Sequence, residues 1–395
     1  MCRQECRNGT VLSTHELGVA IVGCGTIGRT HIAAVAEFDE LKIVALVDEI
    51  EPASVAFADA IEARGKPRPS TYATLADALA DPAAELVVIA TPTGLHIEQG
   101  LAVLAANKHL IIEKPLDVDL IRAQEIEIAA LAAAERGVVA SVISQHRFDP
   151  ASHVVADALA SGRFGRLTSA IASVAWWRSQ GYYDAGDWRG TWAMDGGGAL
   201  MNQGVHTVDL LLWFMGRPAE IYAHIGLLAH ERMEVEDTAV AVIVFESGAL
   251  AVLHATTAAY PALTARIQLM GSAGSAVIDG DELTYFHAAD DGEDVGPMGL
   301  GGGGNQAAGA LGMVEDPRDV VVKDPTTYPA GHIRQYRDIL RAIHAGTEPG
   351  VRVSDAVLAL ATVRAVYVSS TLGRPVLFDD VVAGKYNNIK VRTGK

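Results

Sequence analysis

The 395-residue sequence contains little cysteine and no excess of basic charge, and both shortages limit what the protein can be. Its only cysteines, Cys2, Cys6 and Cys24, lie near the N-terminus, so no disulfide framework can hold the fold together. The formal net charge is −17 and no basic cluster interrupts the acidic average, which argues against a nucleic-acid or anionic-membrane partner. We therefore expect a small-molecule ligand and a reducing, cytoplasmic location.

Long hydrophobic runs and metal-binding patterns are also missing. The longest uncharged run, from Ser247 to Ala265, is interrupted by polar residues and proline, so we expect no membrane helix. Residues 1–16 lack the apolar segment of a secretory signal, and we expect them to form a flexible arm. The spacing of the histidines and cysteines predicts no metal site, and no Gly-x-Ser-x-Gly sequence predicts a serine nucleophile.

The pattern of apolar segments divides the chain into two domains. Up to about residue 147, continuous apolar strands such as GVAIVG and AELVVIAT alternate with helical segments, which predicts a doubly wound parallel sheet covered by helices. Beyond that point, long Val- and Ala-rich segments are joined at Glu246–Gly248 and Ser272–Gly274 by sequences typical of hairpin turns. We therefore predict an α/β N-terminal domain over residues 17–147. An α+β domain with a large, mostly antiparallel, open-faced sheet should follow over residues 148–395.

The stretch AIVGCGTIGRTHI places three glycines between a strand and a helix. The turn and first helical residues are Gly23, Gly25, Thr26, Ile27 and Gly28. The first glycine permits a tight turn, the second lets a pyrophosphate approach the backbone, and the third allows close helix packing against the strand. Asp48 ends the next strand, where a carboxylate accepts hydrogen bonds from ribose hydroxyls and repels a 2′-phosphate. This combination predicts a Rossmann domain that binds NAD rather than NADP.

Three further segments carry motifs in a fixed order. TPTGLH runs from Thr91 to His96, EKP from Glu113 to Pro115, and GGGALMNQGVHTVDLLLWFMG follows in the second half. Together with the glycine turn, they resemble the signature of the glucose-fructose oxidoreductase, inositol dehydrogenase and MocA (Gfo/Idh/MocA) family over nearly the whole chain. The resemblance implies cofactor contacts at Thr91, Pro92, Thr93, His96, Glu113 and Lys114. For His96, ordinary helix capping is an equally good interpretation.

The same resemblance implies a catalytic pair. In the family, the lysine of Glu-Lys-Pro and a histidine of the later helix flank the nicotinamide and the reacting carbon, and here these residues are Lys114 and His206. A histidine, with an unperturbed pKa of about 6.5, can remove a hydroxyl proton, and a lysine can stabilise developing alkoxide charge. Without the resemblance, a lysine capping a sheet and a histidine in a core would be the simpler interpretations.

The substrate side departs from the family pattern at one position. Inositol dehydrogenase-like members have aspartate four residues before the histidine, where this chain has Asn202, and a neutral amide cannot stabilise an imidazolium as a carboxylate does. Asp209 shares a helix face with His206 and either orients the imidazole, binds a substrate hydroxyl or is a solvated acid. Arg178 and Tyr183, in an aromatic stretch, are expected to contact substrate, although aromatic residues also fill cores.

These residues predict an NAD-dependent oxidoreductase acting on a ring hydroxyl of a sugar, sugar derivative or cyclic polyol. Two alternatives stay open: lyase or glycosidase chemistry by transient oxidation with retained NAD, and a non-catalytic dinucleotide or sugar sensor. The presence of both Lys114 and His206 argues against the sensor. We expect the apolar sheet of the second domain to bury one face in a homodimer or homotetramer.

Overall fold

The structure, a computed structural model, describes residues 16–186, 188–289, 304–312 and 329–393. The arm predicted for residues 1–16 lies outside this range except for its last residue. Within the described residues the chain forms one parallel and one mostly antiparallel sheet. The predicted fold class is thereby confirmed.

The parallel sheet forms the N-terminal domain. Its strands are β1 (Leu17–Val22), β2 (Leu41–Val47), β3 (Ser70–Tyr72), β4 (Leu86–Ile89), β5 (His109–Ile112) and β6 (Ala140–Val142). They lie in the order β3-β2-β1-β4-β5-β6, and every residue of β1 and β4 is buried because helices cover both faces. The strand order reverses between β1 and β4. Ligands of open α/β sheets bind at such a reversal, outside the carboxyl ends of the strands.

Helices follow the strands of this domain and so begin near that same edge. They are α1 (Thr26–Val35), α2 (Glu51–Glu62), α3 (Leu75–Ala80), α4 (His96–Ala105) and α5 (Leu120–Ala134). The Thr74 hydroxyl caps α3 and the Asp119 carboxylate caps α5 by accepting first-turn N–H groups. The turn that precedes α1 has no such cap.

The second sheet has eight strands. They are β7 (Leu167–Ala175), β8 (Pro218–Gly226), β9 (Thr238–Phe245), β10 (Leu250–Thr256), β11 (Ala265–Gly271), β12 (Gly274–Asp279), β13 (Glu282–Ala288) and β14 (Val376–Leu377). Their order is β13-β12-β11-β7-β10-β9-β8-β14, and only β7 and β10 pair in parallel. Both predicted hairpin turns are present, between β9 and β10 and between β11 and β12. The antiparallel prediction is therefore confirmed.

One face of this sheet is covered and the other is apolar but exposed. The helices of the second half are α6 (Pro150–Ala160), α7 (Gln180–Tyr183), α8 (Val205–Met215), α9 (Ala307–Leu311), α10 (Ala330–Ala345), α11 (Val353–Leu372) and α12 (Phe378–Val382). α8 and α11 pack on the inner face. On the outer face, Ile171, Val252, Val242 and Tyr222 are aligned across four neighbouring strands and are 38–48% exposed.

Two C-terminal helices, α10 and α11, have positions that the apolar pattern of the sequence did not predict. α10 returns to the N-terminal domain and packs against α1, where Ile333 and Tyr336 join its core. The domain boundary at residue 147 stays a prediction. α11 is long and apolar enough to cross a membrane by composition, which the run-length argument missed, but 67% of that stretch is buried inside the protein. It contacts α5, α8 and β8, so its apolar side chains pack within the protein.

Candidate active site

The glycine turn joins β1 to α1 at the edge where the strand order reverses. Gly23 has a φ of +100°, and a Cβ there would lie 2.6 Å from the carbonyl oxygen of Ala90. A Cβ at Gly28 would lie 2.2 Å from the carbonyl oxygen of Gly23. By contrast, no atom lies within 4 Å of a Cβ built at Gly25. Packing therefore requires glycine at 23 and 28, whereas Gly25 leaves the open space that a pyrophosphate needs.

The atoms around this space fit a dinucleotide. Among the described residues, the N–H groups of Thr26 and Ile27 have no acceptor, so the N-terminus of α1 is available to an anion. Asp48, directly after β2, accepts hydrogen bonds from the backbone N–H groups of Cys24 at 2.8 Å and Ile50 at 2.9 Å. Its half-exposed carboxylate is thereby held beside the glycine turn.

His96 ties two motif loops together. Thr91, Pro92 and Thr93 form the loop after β4. The His96 ring lies 2.8 Å by Nε2 from the carbonyl oxygen of Thr91 and 2.9 Å by Nδ1 from that of Pro115. The ring is enclosed, and burial lowers its pKa. His96 thus positions the loops of both motifs, and its contact with the cofactor stays a prediction.

Glu113, directly after β5, is the centre of a buried cluster. Its Oε1 accepts hydrogen bonds from Nε2 of His31 at 3.1 Å and Nε2 of His332 at 3.2 Å. Its Oε2 accepts the backbone N–H of Lys114 at 3.0 Å, and Tyr336 holds the other side of His31 at 2.9 Å. Burial opposes ionisation, but the two histidine hydrogen bonds hold the pKa of Glu113 well below its usual range. The cluster fixes the backbone of Lys114 from three separate elements.

Two side-chain groups in the described part of the chain have the spacing of metal ligands. They are His31, Glu113 and His332, and His146, Asp149 and Asp281. Sequence spacing does not reveal either group, because each includes at least one residue from a distant segment. In the first group, Nε2 of His31 and Nε2 of His332 already donate hydrogen bonds to the Glu113 carboxylate. The absence of a metal stays a prediction.

Lys114 reaches from the N-terminal domain towards the second domain. Its Nζ donates to the carbonyl oxygen of Asn202 at 3.5 Å, within the π-helical segment Ala199–Gln203 that leads into α8. Burial lowers the pKa of Lys114, while the negative charges of Glu113 and Asp195 oppose that shift.

Asp195 is a site residue that the sequence analysis missed. Its Oδ1 accepts the side-chain amide of Asn202 at 2.5 Å and its Oδ2 accepts the backbone N–H of Gly190 at 2.8 Å. The residue is only 2% exposed, and burial raises the pKa of its carboxyl group. The site therefore contains a carboxylate in contact with the Asn202 amide. From Asn202 alone, the sequence indicated only a neutral amide at this point. Its position directly before the three glycines was the available signal.

Glu236 holds the segment that carries Asn202. Its carboxylate accepts the N–H groups of Gly198 at 3.0 Å and Leu200 at 2.9 Å and the hydroxyl of Tyr367 at 3.0 Å. Burial raises the pKa of Glu236 to about 7. A Cβ at Gly198 would lie 1.7 Å from the carbonyl oxygen of Glu236, which explains the glycine there.

His206 lies in the first turn of α8 and lines the same pocket as Lys114. The structure thus brings the two predicted catalytic residues together from different domains. Burial holds the pKa of His206 well below its usual range, and the positive charges of Lys114 and His146 add to that effect. Both effects favour the neutral imidazole, which is the form that accepts a proton.

Asp209 lines this pocket but is occupied by other groups. Arg147 donates to it twice, from Nε at 2.7 Å and from a terminal nitrogen at 2.6 Å, and the Ser144 hydroxyl donates as well. It is 5% exposed, so the alternative of a solvated acid is wrong. The ion pair ties α8 to the chain leaving β6, and a role for Asp209 towards substrate stays a prediction.

The aromatic stretch places its two predicted substrate contacts differently. Arg178 donates to the side chain of Gln203 at 2.8 Å and lies over the ring of Tyr182, beside the segment that carries Asn202. Tyr183 is 6% exposed, and its hydroxyl lies 2.8 Å from that of Thr257. Burial raises the pKa of Tyr183 to about 12. A substrate contact for either side chain stays a prediction.

Two family models match the chain consecutively. The oxidoreductase family model with an NAD-binding Rossmann fold matches residues 17–144, and the GFO/IDH/MocA C-terminal domain model matches residues 153–277. The chain belongs to the Gfo/Idh/MocA oxidoreductase family. As a family member it is an NAD-binding oxidoreductase, and the glycine turn with Asp48 is the part of the chain that fits the cofactor.

Similar proteins are named for, or were solved with, sugar nucleotides or inositol. The WlbA dehydrogenase of Bordetella pertussis, solved with NADH and UDP-GlcNAcA, is 29% identical with a TM-score of 0.77 over 93% of this chain and 99% of that one. A putative UDP-kanosamine synthase oxidoreductase subunit of Amycolatopsis mediterranei is 30% identical over 65% of this chain and 73% of its own. The myo-inositol 2-dehydrogenase of Thermotoga maritima is 22% identical over 92% of this chain and 99% of its own.

Proposed function

We propose that the protein is an NAD-dependent dehydrogenase that acts on a ring hydroxyl of a sugar, sugar derivative or cyclic polyol. The observation that carries this proposal is the meeting of Lys114 and His206 in one pocket. A neutral base and an ammonium group are the two protein groups that oxidation of a secondary alcohol requires.

The chain's own residues divide the chemistry between them. NAD, when bound, supplies the hydride acceptor. His206 takes the hydroxyl proton as the carbinol carbon loses a hydride to that acceptor, so the alcohol becomes a ketone. Lys114 stabilises the negative charge that develops on the oxygen. Glu113 and Asn202 position Lys114 through its backbone N–H and its Nζ.

Two arginines beside the segment that carries Asn202 favour a sugar with an anionic group. The guanidinium of Arg178 lies 5.4 Å from the ring centre of Tyr182, and that of Arg189 lies 4.5 Å from the same ring. Paired arginines beside aromatic faces bind phosphates and stack on sugars. The similarity to the WlbA dehydrogenase and to the UDP-kanosamine synthase subunit supports the same choice. We therefore propose a nucleotide-linked or phosphorylated sugar as the first substrate class.

The test is NADH absorbance while the purified protein and NAD are offered free sugars, inositols, sugar phosphates and nucleotide sugars. We expect reduction of NAD with one class and none with the others. If the protein binds NAD but forms no NADH with any of these classes, that result would contradict net dehydrogenation. A product formed without net NADH would identify retained-cofactor chemistry instead.

We also propose that the exposed sheet face binds a second copy of the chain. The aligned row of Ile171, Val252, Val242 and Tyr222 is exposed and uncharged, and it offers the same apolar contacts to a second copy of the chain. Light scattering should report a dimer or tetramer. Val242→Asp should dissociate it, whereas Lys66→Asp, on the surface of the N-terminal domain, should not. A monomeric parent protein would contradict this part of the proposal.

A further inference from the structure

A second imidazole lies against His206. His146 belongs to the 3-10 helix Gln145–Phe148, which follows β6, and its ring centre lies 5.1 Å from that of His206, with the ring planes at 80°. Nδ1 of His146 lies 2.8 Å from Oδ2 of Asp149 and 3.3 Å from Oδ1 of Asp281. Among the described residues, no group forms a hydrogen bond with the other ring nitrogen, Nε2.

The groups behind His146 lead to solvent. The Asp149 side chain is 14% exposed and is paired with Arg334 of α10 at 2.9 Å. Asp281 lies in the turn between β12 and β13, and its side chain is 61% exposed. On its other side His146 faces His206 and the charge of Lys114. A chain of titratable groups thus runs from the pocket to the protein surface.

We propose that His146 is a proton relay for His206. The proposal rests on the dehydrogenase function proposed above, because that reaction releases one proton for each hydride transferred. In oxidation, the proton that His206 takes from the substrate hydroxyl passes to Nε2 of His146. The proton on Nδ1 of His146 then passes to Asp149 or Asp281 and from there to water. Reduction follows the same steps in reverse, and no other reactant is needed.

The electrostatics of the two rings favour this direction. Burial, Lys114 and His146 hold the pKa of His206 low. Burial also opposes charge on His146, but the hydrogen bond and charge of Asp149, together with Asp281, raise the pKa of His146 against the opposing effect of Lys114. These opposite directions favour a proton on His146 over a proton on His206. The relay also accounts for a base that works without a carboxylate at residue 202, since the carboxylates lie behind His146 instead.

The first test needs no substrate. The pKa of His206 is measured by NMR titration of the NAD-saturated protein, in the parent chain and in His146→Gln. We expect the His206 pKa to rise in the variant, because a neighbouring cation is removed. His153→Gln is the matched control, since His153 contacts Phe148 and Trp213 rather than His206. An unchanged His206 titration in His146→Gln would overturn the relay, whatever the enzymatic activity.

The second test follows turnover. His146→Ala should lower kcat for oxidation by at least about tenfold without weakening NAD binding, and added imidazole should restore part of the loss. In the parent, kcat should rise as pH passes upward through the pKa of His146, and the variant should lack that rise. A variant with the parent's kcat and pH profile would overturn the proposal. A protein that oxidises no carbohydrate contradicts the dehydrogenase proposal, while the NMR titration still decides whether the two imidazoles are coupled.

Discussion

The cofactor side and the substrate side of this cleft are built in different ways. On the cofactor side, the glycine turn, the first turn of α1 and Asp48 belong to one continuous βαβ segment, and the binding groups are mainly backbone N–H groups. On the substrate side, Lys114 comes from the N-terminal domain, whereas Asn202 and His206 come from the segment that leads into α8 and from α8 itself. Their neighbours Asp195 and His146 come from further segments.

The titratable groups differ in the same way. Both oxygens of Glu113 accept hydrogen bonds. The donors are His31 on α1, His332 on α10 and the backbone N–H of Lys114. Among the described residues, no group forms a hydrogen bond with a ring nitrogen of His206. Satisfied buried groups give rigidity, whereas a base must keep a free lone pair for its proton. The comparison therefore separates residues that hold the site from residues that react in it.

The sharpest test of that separation is Lys114→Ala. Turnover should fall about 10²- to 10³-fold, because the developing oxyanion loses its charge partner. NAD affinity should change little, since the glycine turn is untouched. NADH absorbance measures the first quantity and calorimetry the second. Lys66→Met, at an exposed lysine of the same domain, is the control. Parent-like turnover in Lys114→Ala would remove this residue from the chemistry.

Glu113→Gln tests the holding role. An amide must turn its NH₂ group towards a histidine N–H or the Lys114 N–H, so the free energy of unfolding should fall by about 2 kcal/mol at pH 7. Because the folded-state pKa of Glu113 lies below its unfolded value, its contribution is present above that value and is lost as pH falls through the folded pKa. Denaturant unfolding at several pH values should show a weaker acid dependence in the variant. Glu37→Gln, on the surface, should behave as the parent.

Asn202→Asp sharpens the comparison on the substrate side. The change places a second carboxylate against Asp195, so the pair should retain a proton to higher pH and turnover at neutral pH should fall about tenfold. The double variant Asp195→Asn with Asn202→Asp restores one amide and one carboxylate and should recover part of the rate. Matching pH profiles in the parent and Asn202→Asp would show that the amide is dispensable.

The smallest effect is expected at Asp48. Asp48→Asn keeps an oxygen acceptor for the glycine turn but removes the charge that repels a 2′-phosphate. The ratio of NAD affinity to NADP affinity should therefore fall about fivefold. Titration with both cofactors measures the change, and Asp39→Asn, on the surface, is its control. An unchanged ratio would assign the preference to another residue.

Local patterns were sufficient for much of the fold. Continuous apolar strands predicted the parallel sheet, because burial on both faces leaves an unbroken apolar run. Hairpin-turn sequences between long Val- and Ala-rich segments predicted the antiparallel sheet. The Rossmann turn was equally readable, since Gly23, Gly25 and Gly28 lie within six residues. The search for uncharged runs did not find the apolar stretch that forms α11. Its apolar composition reflects burial within the protein.

Groupings between distant residues left no such trace. His31 and His332 meet Glu113 across sequence separations of 82 and 219 residues. Arg147 pairs with Asp209 across a separation of 62 residues, and none of the three roles weighed for Asp209 included this partner. Asp195 was overlooked because its role depends on which amide it contacts and on its burial.

The resemblance to the family supplied Lys114 and His206 as the expected catalytic pair. The sequence by itself determined the parallel sheet, the antiparallel sheet and the NAD-binding turn. These features depend on short-range spacing and on the period of apolar residues, both of which are written along the chain. Only the tertiary structure decided that His206 is neutral and lies against His146, that Asp195 supplies a carboxylate beside Asn202, and that Glu113 fixes Lys114. Burial and charge act through space, so the protonation of a group depends on neighbours that the chain brings together only when it folds.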